Sequence, residues 1–222
     1  MTESAAIALA PRIKLYPAGA PAPQLEPGWL ALAQLARQAE HDVVFGDGSH
    51  PTTRLCAAAV DLLCRQRQPE AVLDVGTGTG VLARIARARG ARFIVATDID
   101  PAALDSARAH SELDAHGAVI QLSAQPPDHW GARFDLVVAN ILEEPLRQLA
   151  SALSNALAPG GALLLSGFTR PQTPALRVLY ERAGLAFVSE SHREEWALLM
   201  FERVYGEQLP RPALRDPRGS FI

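Results

Sequence analysis

The sequence predicts a doubly wound α/β fold, in which helices cover both faces of a mostly parallel β-sheet. Short β-rich segments alternate with helical patterns from about residue 51 to residue 204, an alternation typical of parallel sheets with helical crossovers. Residues 71–80 read as a buried strand that runs into a glycine turn, and residues 93–100 as a second buried strand that ends in acid. Such a pair of strands is typical of the ligand-binding half of this fold.

The predicted elements follow from their individual patterns. Strands are predicted at 71–75, 92–98, 118–123, 134–139 and 161–166, and helices at about 51–64, 80–89, 101–115, 144–157 and 172–183. Right-handed crossovers make these strands parallel. The last two strands, at about 185–191 and 196–204, are joined by only four residues, which is too short for a helical crossover. They should therefore pair antiparallel.

The two ends of the chain differ from this central part. Residues 1–28 contain five prolines, which remove backbone donors and hold the chain extended, so they are predicted to form an arm. Residues 29–205 are predicted to form one compact domain, which starts with a short amphipathic helix from Trp29 to about His41. Residues 206–222 are again rich in proline and are predicted to be a flexible tail.

The composition argues against several classes of protein. A length of 222 residues, 48% hydrophobic and 20% charged, fits one compact domain. A net charge of -3 argues against a broad basic surface, so no direct nucleic-acid binding is expected. The sequence shows no apolar run long enough for a membrane span and no secretory leader. No membrane association and a cytoplasmic location are therefore expected.

No motif of the sequence indicates a metal site. The two cysteines, Cys56 and Cys64, lie on one predicted helix and lack the paired short spacings of a zinc site or a disulfide framework. They are predicted to be reduced residues that pack in the core.

The glycine turn narrows the choice of ligand. Asp74 is followed by Gly76, Gly78 and Gly80 in a D-x-G-x-G-x-G pattern, whereas a dinucleotide fingerprint reads G-x-G-x-x-G. The pattern resembles the first motif of class I S-adenosylmethionine (SAM) methyltransferases, which makes these four residues candidates for cofactor binding. The resemblance implies a Rossmann-like, seven-stranded sheet with an antiparallel last strand, and glycines that let the cofactor approach the backbone. The alternative is a tight turn that binds no ligand or another nucleotide.

Two polar side chains end the neighbouring strands. In an open α/β sheet a ligand lies at the carboxyl ends of the strands, where the loops after residues 75, 98 and 139 converge. Asp98 is predicted to bind the ribose hydroxyls of the cofactor, since it follows Gly76 at about the expected separation. Asp100 is the alternative, although the following Pro101 favours Asp100 as the cap of the next helix. Asn140 follows the predicted strand at 134–139 and lies beside them.

Further segments sharpen the resemblance to one family. The loop at residues 45–53 has the pattern F-G-x-G-x-H-P-T-T, which is more specific than the glycine turn, and it is accompanied by segments at 74–80, 98–101, 138–146, 165–167 and 194–196. Together these segments are similar to the PrmA family, methyltransferases that act on a protein of the large ribosomal subunit. The resemblance covers about residues 43–200. It implies that Thr53, Gly76, Asp98 and Asn140 contact SAM.

The resemblance also implies an activity. It indicates a SAM-dependent N-methyltransferase that methylates amino groups of a protein, at a lysine side chain or an α-amine, with S-adenosylhomocysteine as product. Asn140 is the predicted catalytic residue, because its Oδ1 can hold a neutral amine by the N–H groups while the protein positions and desolvates that amine. No aromatic residue follows Asn140, which disfavours a flipped base as acceptor, since adenine N6-methyltransferases resemble N-P-P-aromatic here.

One departure from the family leaves the methyl acceptor open. The family normally carries a separate N-terminal domain for substrate recognition, whereas only the arm and one short helix precede the loop at residues 45–53. A ribosomal protein is one candidate substrate. The alternatives are a small-molecule N-methyltransferase and a non-catalytic protein of the same fold that binds a partner.

Several other residues have two interpretations. His50 could act as a base because its pKa lies near neutrality, or it could be structural in a turn before proline. Glu143 and Glu144 could attract a cationic amine or could complement the dipole at the start of a helix. Trp130 and Phe168 could form walls of the pocket, although Trp130 could instead cap the core.

Overall fold

The computed structural model describes residues 6–35, 44–114 and 117–204. In these ranges the chain forms a three-stranded sheet, a seven-stranded sheet and six α-helices. The smaller sheet contains β1 (Ile7–Ala10), β2 (Ile13–Pro17) and β3 (Leu30–Gln34). β2 lies in the middle, antiparallel to β1 and parallel to β3.

The larger sheet confirms the predicted fold class. Its strands are β4 (Ala71–Val75), β5 (Phe93–Thr97), β6 (Ile120–Ser123), β7 (Phe134–Asn140), β8 (Leu157–Thr169), β9 (Leu185–Arg193) and β10 (Trp196–Arg203). They lie in the order β6-β5-β4-β7-β8-β10-β9. The last strand of the chain, β10, is antiparallel to both of its neighbours, and the pairs from β6 to β8 are parallel.

The helices follow the predicted alternation with one exception. They are α1 (Pro51–Arg67), α2 (Val81–Ala88), α3 (Pro101–Leu113), α4 (Glu143–Gln148), α5 (Ala150–Ala156) and α6 (Thr173–Arg182). The single helix predicted at 144–157 is wrong, because Leu149 has φ -89° and ψ 3° and separates α4 from α5. None of the helices in the described ranges is both long and apolar enough to cross a bilayer.

The alternation of side chains along the central strands divides the core into two layers. Val72 of β4 packs with residues of α1, α2 and the small sheet on one face. Leu73 packs with residues of α4, α5 and α6 on the other face. Successive side chains of a strand point to opposite faces, so a strand with apolar residues at every position must be covered on both sides. The buried run of β4 therefore explains the helices on both faces.

The helix predicted from Trp29 to His41 is wrong in its first part, since Leu30–Gln34 is the strand β3. The spacing of the apolar residues in this segment is compatible with a helix, but its backbone pairs with β2 over five residue pairs. Tertiary pairing therefore overrides the local pattern. The rest of that predicted helix, residues 36–41, lies outside the described residues.

The N-terminal arm also differs from its prediction. Residues 7–17 form the antiparallel pair β1 and β2, and Leu9, Ile13 and Leu15 are buried in the core with α1 and α2. The prolines occupy positions where a strand does not need the N–H group: Pro11 lies in the turn between the strands, and Pro17 ends β2. The predicted boundary at residue 28 falls in the connection between β2 and β3. The predicted tail, residues 206–222, lies outside the described residues.

Candidate active site

A cavity opens at the carboxyl ends of β4, β5 and β7, where the sequence predicts a ligand site. It has a volume of about 610 Å³, which lies in the range of small-molecule sites. Four predicted site residues line it, namely Gly76, Gly78, Asp98 and Asn140. The other predicted cofactor residues, Thr53, Asp74 and Gly80, are not among its lining residues.

The glycine turn is required by the packing of the chain itself. Gly76 and Gly78 have φ angles of 70° and 55°, which glycine adopts at little cost. A Cβ at Gly76 would lie 2.1 Å from Ile141 Cγ2, and a Cβ at Gly78 would lie 2.1 Å from the carbonyl oxygen of Phe45. From the sequence, these glycines are expected to make room for the cofactor. The structure adds that neighbouring protein atoms leave no room for a side chain.

The loop of residues 45–50, here called the Phe45–His50 loop, is held against the glycine turn by hydrogen bonds. Thr79 N donates to Phe45 O at 2.9 Å, and Thr79 Oγ1 donates to Gly46 O at 2.8 Å. The sequence does not identify Thr79 as important, because its two partners lie more than 30 positions earlier. The loop and the glycine turn therefore form one wall of the cavity.

Asp74 lies behind the glycine turn and supports it. Its Oδ2 accepts hydrogen bonds from Thr77 Oγ1 at 2.7 Å and from Ala83 N at 3.2 Å, in the first turn of α2. Burial raises the pKa of Asp74 to about 6, against the two hydrogen bonds that lower it, and the charge of Asp98 raises it further. Asp74 thus connects the turn to the helix that follows.

The two candidate acids at the end of β5 have different partners. Asp98 lines the cavity, and its carboxylate accepts from Gly78 N at 3.0 Å and from Asp100 N at 3.1 Å. Asp100 caps α3, because its Oδ1 accepts from Ala102 N at 2.9 Å. Asp100 also lies at the cavity. The assignment of the ribose to Asp98 stays a prediction.

Asn140 lines the cavity and has a side-chain acceptor without a partner in the described part of the chain. Its side chain ends β7 and is only 8% exposed. Its Oδ1 is buried and has no hydrogen-bond partner among the described residues. A buried carbonyl without a partner costs about 1–3 kcal/mol. The residue is therefore suited to accept a hydrogen bond from a group that enters the cavity.

His50 lies in the wall of the cavity and caps α1. Its Nδ1 accepts from Thr52 N at 3.3 Å and lies 2.7 Å from Thr52 Oγ1. A ring nitrogen that accepts a backbone N–H carries no proton, so the neutral ring is protonated at Nε2. Burial lowers the pKa of His50, although the charges of Glu194 and Glu195 raise it. The geometry favours the structural interpretation over a base, because the capping bond occupies the lone pair of Nδ1.

Two further rings flank His50. The ring centroids of Phe45 and His50 are 5.1 Å apart, and those of His50 and Trp196 are 4.6 Å apart. All three rings line the cavity. The sequence analysis did not identify Trp196 as a site residue, since it stands at the start of the last strand and reaches the cavity only because β10 pairs with β8.

The two threonines that follow Pro51 lie in different surroundings. Thr52 lines the cavity. Thr53 does not, and its Oγ1 is buried with no hydrogen-bond partner in the described parts of the chain. Adjacent residues at the start of a helix point about 100° apart, so the spacing alone could not distinguish them.

None of the remaining candidates is among the residues that line the cavity. Glu143 accepts from Arg147 Nε at 2.8 Å and from the side-chain amide of Gln172. Glu144 accepts from Gln148 Nε2 at 2.9 Å. Trp130 and Phe168 are buried in the second core layer, and neither is among the residues that line the cavity.

The cysteines and the other metal-binding residue types offer no metal centre in the part of the chain that the structure describes. Cys56 and Cys64 are free and buried in α1, and burial raises the pKa of both thiols. No group of three or more His, Cys, Asp or Glu residues is placed to hold a metal ion within those ranges.

Comparison with known proteins finds similar sequences over most of the chain. The family described as "Ribosomal protein L11 methyltransferase (PrmA)" matches residues 38–204. A ribosomal protein L11 methyltransferase of Geobacter sulfurreducens is 42% identical over 159 residues, which are 72% of this chain and 52% of that protein. One of Rhodopseudomonas palustris is 38% identical over 179 residues, 78% of this chain and 60% of that protein.

A solved structure has the same architecture. The ribosomal protein L11 methylase of Lactobacillus delbrueckii subsp. bulgaricus superposes with a TM-score of 0.76 at 25% identity, over 90% of this chain and 99% of that chain. This chain spans only 52% and 60% of the length of the two curated relatives. The matched residues 38–204 include every predicted site residue, whereas the small sheet of β1 to β3 lies before them.

Proposed function

Because this chain belongs to the PrmA family, we propose that it is a SAM-dependent methyltransferase whose acceptor is an amino group of a protein, and that S-adenosylhomocysteine is its product. The names of the two curated relatives support methyl transfer to a protein. A ribosomal protein is accordingly the first candidate for the acceptor.

The residues of the cavity fit the cofactor. When bound, SAM supplies a methyl group on a sulfonium centre, which a lone pair of the acceptor can displace. Gly76 and Gly78 present backbone to the cavity. A carboxylate offers about four acceptor positions, and the N–H groups of Gly78 and Asp100 use two of those of Asp98. Asp98 therefore keeps capacity for two ribose hydroxyls.

The unpartnered Oδ1 of Asn140 carries the proposal that the acceptor is an amine. A neutral amine has N–H groups to donate, and one such bond to Oδ1 would leave the nitrogen lone pair free to attack. In water an alkylamine is protonated, with a pKa of about 10.4. The rings of Phe45, His50 and Trp196 provide a wall that favours the uncharged form, because desolvation lowers the pKa of a cation.

The mouth of the cavity favours a protein over a small molecule. Three apolar side chains at the cavity are exposed: Phe45 by 43%, Ile99 by 95% and Leu142 by 71%. Apolar side chains grouped at the mouth of a site are typical of a surface that contacts another protein. A small acceptor would instead require a lid that excludes water.

The test is calorimetric titration of the purified protein with SAM and with S-adenosylhomocysteine, followed by transfer of a labelled methyl group into extracts of the source cells, resolved by size. Binding together with a labelled band of the size of a ribosomal protein is the expected result. Label that appears only in small molecules would replace the protein acceptor by a small amine. No binding of either ligand would overturn the proposal and leave a partner-binding protein of the same fold.

A further inference from the structure

The small N-terminal sheet contacts the Phe45–His50 loop at Gly48. Gly48 of the Phe45–His50 loop has φ +84°, and a Cβ there would lie 2.8 Å from Leu15 Cδ1 and 3.0 Å from Leu9 Cδ1. These leucines belong to β2 and β1. The loop therefore rests directly on two side chains from a part of the chain that lies outside the family match at residues 38–204.

The sheet is shaped to present these leucines. The pairing of β1 with β2 shifts register between Ala8 and Ala10, with Leu9 at the irregularity. Leu9 is 1% exposed, whereas Ile7 is 50% exposed. A bulge re-aims a side chain without breaking the strand. Leu9 and Leu15 thus face the core and meet Gly48 together.

The other edge of the sheet is fixed to the main domain by side chains rather than by a strand. The buried guanidinium of Arg84 donates to the carbonyl oxygen of Ala33 and to Asp114. Asp114 Oδ1 accepts from Ala33 N at 3.2 Å, and His110 Nε2 accepts from Leu35 N at 3.3 Å. Both backbone groups of Ala33 at the edge of β3 are therefore paired with α2 or with the end of α3, and the sheet cannot shift without breaking buried bonds.

The Phe45–His50 loop is held between this sheet and the glycine turn. On one side Gly48 packs on Leu9 and Leu15, and Gly48 O accepts from Arg54 Nε at 2.8 Å. On the other side Thr79 holds Phe45 and Gly46. The position of the loop thus depends on contacts on both sides.

We propose that Leu9 and Leu15 are positioning residues for the cavity: they hold the Phe45–His50 loop against the glycine turn and so set the affinity for the cofactor. The N-terminal sheet is then a support of the cofactor wall. The effect on affinity rests on the proposed function, because it takes the ligand of the cavity to be SAM. The effect of the leucines on the position of the loop holds whatever the ligand is.

The experiment compares Leu15→Ala with Ile13→Ala. Ile13 is also fully buried, on the same strand and in the same core layer, but the atoms that approach Gly48 belong to Leu9 and Leu15. Two quantities are measured: the Kd for SAM, and the hydrogen-exchange rate of the Thr79 amide relative to that of Val95 in β5. The Thr79 amide reports the bond to Phe45 O with or without ligand.

Leu15→Ala is expected to weaken SAM binding by at least about tenfold and to accelerate the relative exchange of Thr79. Ile13→Ala should lower the melting temperature comparably and leave both quantities near the wild-type values. Leu15→Met, which keeps the volume, should restore them. Equal effects of Leu15→Ala and Ile13→Ala would overturn the proposal, because only general stability would then matter.

Two further outcomes are distinguishable. If the wild-type protein binds neither SAM nor S-adenosylhomocysteine, the proposed function fails, and the exchange of Thr79 still decides whether Leu15 positions the loop. If Leu15→Ala does not fold, Leu9→Ala replaces it, because Leu9 Cδ1 also approaches Gly48. Unchanged Thr79 exchange in Leu9→Ala would then refute the positioning role.

Discussion

The two sides of the cavity differ in how their polar groups are satisfied. On the side proposed to bind the cofactor, here called the cofactor side, Asp98 binds the backbone of the glycine turn, and Thr79 uses both its amide and its hydroxyl to hold the Phe45–His50 loop. On the side proposed to bind the methyl acceptor, here called the acceptor side, Asn140 Oδ1 is buried and has no partner among the described residues. The cofactor side is therefore built in advance, while the acceptor side keeps a hydrogen-bonding capacity that an incoming group can use.

This difference determines which measured quantity each substitution should change. Changes on the cofactor side should alter stability and cofactor affinity, because they disturb bonds that the protein already makes. Changes on the acceptor side should alter turnover, because they remove a bond made only to the reacting group.

The largest effect is expected for Asn140→Ala. Removing the acceptor of the amine N–H should lower kcat at saturating SAM by roughly 10²–10³-fold, the range found when one preorganised polar group of an active site is removed. The Kd for SAM should change much less. The matched control is Asn155→Ala, at an exposed asparagine of α5. Unchanged turnover in Asn140→Ala would remove this residue from the amine site and end the contrast between the two sides.

Asp74→Asn tests whether buried Asp74 supports the glycine turn on the cofactor side, by the pH dependence of unfolding. The pKa of Asp74 is raised from 3.8 to about 6 in the folded protein, so the folded state binds the proton more tightly than the unfolded state. The protonated carboxyl of Asp74 therefore contributes on the order of 3 kcal/mol to the free energy of unfolding below pH 4. This contribution is lost as the pH rises through about 6.

Urea unfolding at pH 4, 5 and 6 measures this loss. The Asn variant should lack this component of the pH dependence, while Asp128→Asn, at an exposed position, should keep it. A wild-type and an Asp74→Asn profile of the same shape would show that Asp74 is not the buried acid that supports the glycine turn.

Asp98→Ala should mainly change the affinity for SAM. The loss of a charged acceptor at the cavity is expected to weaken SAM affinity by about 10–100-fold, with kcat at saturating SAM close to the wild-type value. Calorimetry on Asp98→Ala and Asp100→Ala together distinguishes the two acids. If Asp100→Ala weakens binding more than Asp98→Ala, the ribose belongs to Asp100. Normal SAM binding by Asp98→Ala would contradict the cofactor assignment.

The smallest effect is expected for Glu143→Gln, which lies just beyond Asn140 on the acceptor side. Glu143 already pairs with Arg147 on the surface of α4, and such exposed pairs contribute about 0.3–0.5 kcal/mol. Because Glu143 is also not among the residues that line the cavity, turnover should change by less than about twofold. A drop in kcat/KM as large as that of Asn140→Ala would show that this carboxylate attracts the amine.

Local patterns predicted most elements of the larger sheet and its helices. The β4 segment, which is apolar apart from Asp74, predicted a strand covered on both faces, and the D-x-G-x-G-x-G spacing predicted the turn beside it. Strand burial and positive φ angles are properties of short segments. The short connection before Trp196 predicted the antiparallel last strand. Asn140 followed from its place at the end of a strand.

The sequence by itself thus determined the fold class, the order of elements from α1 onward except for the break between α4 and α5, and four of the residues that line the cavity, namely Gly76, Gly78, Asp98 and Asn140. Only the tertiary structure decided that residues 30–34 are a strand, since their pairing with β2 outweighs a helical spacing. It also decided that Gly78 faces Phe45 O and that Gly48 rests on Leu9 and Leu15. It also decided that Asn140 Oδ1 has no hydrogen-bond partner among the described residues. Each of these depends on contacts between atoms far apart in the chain, which no local pattern encodes.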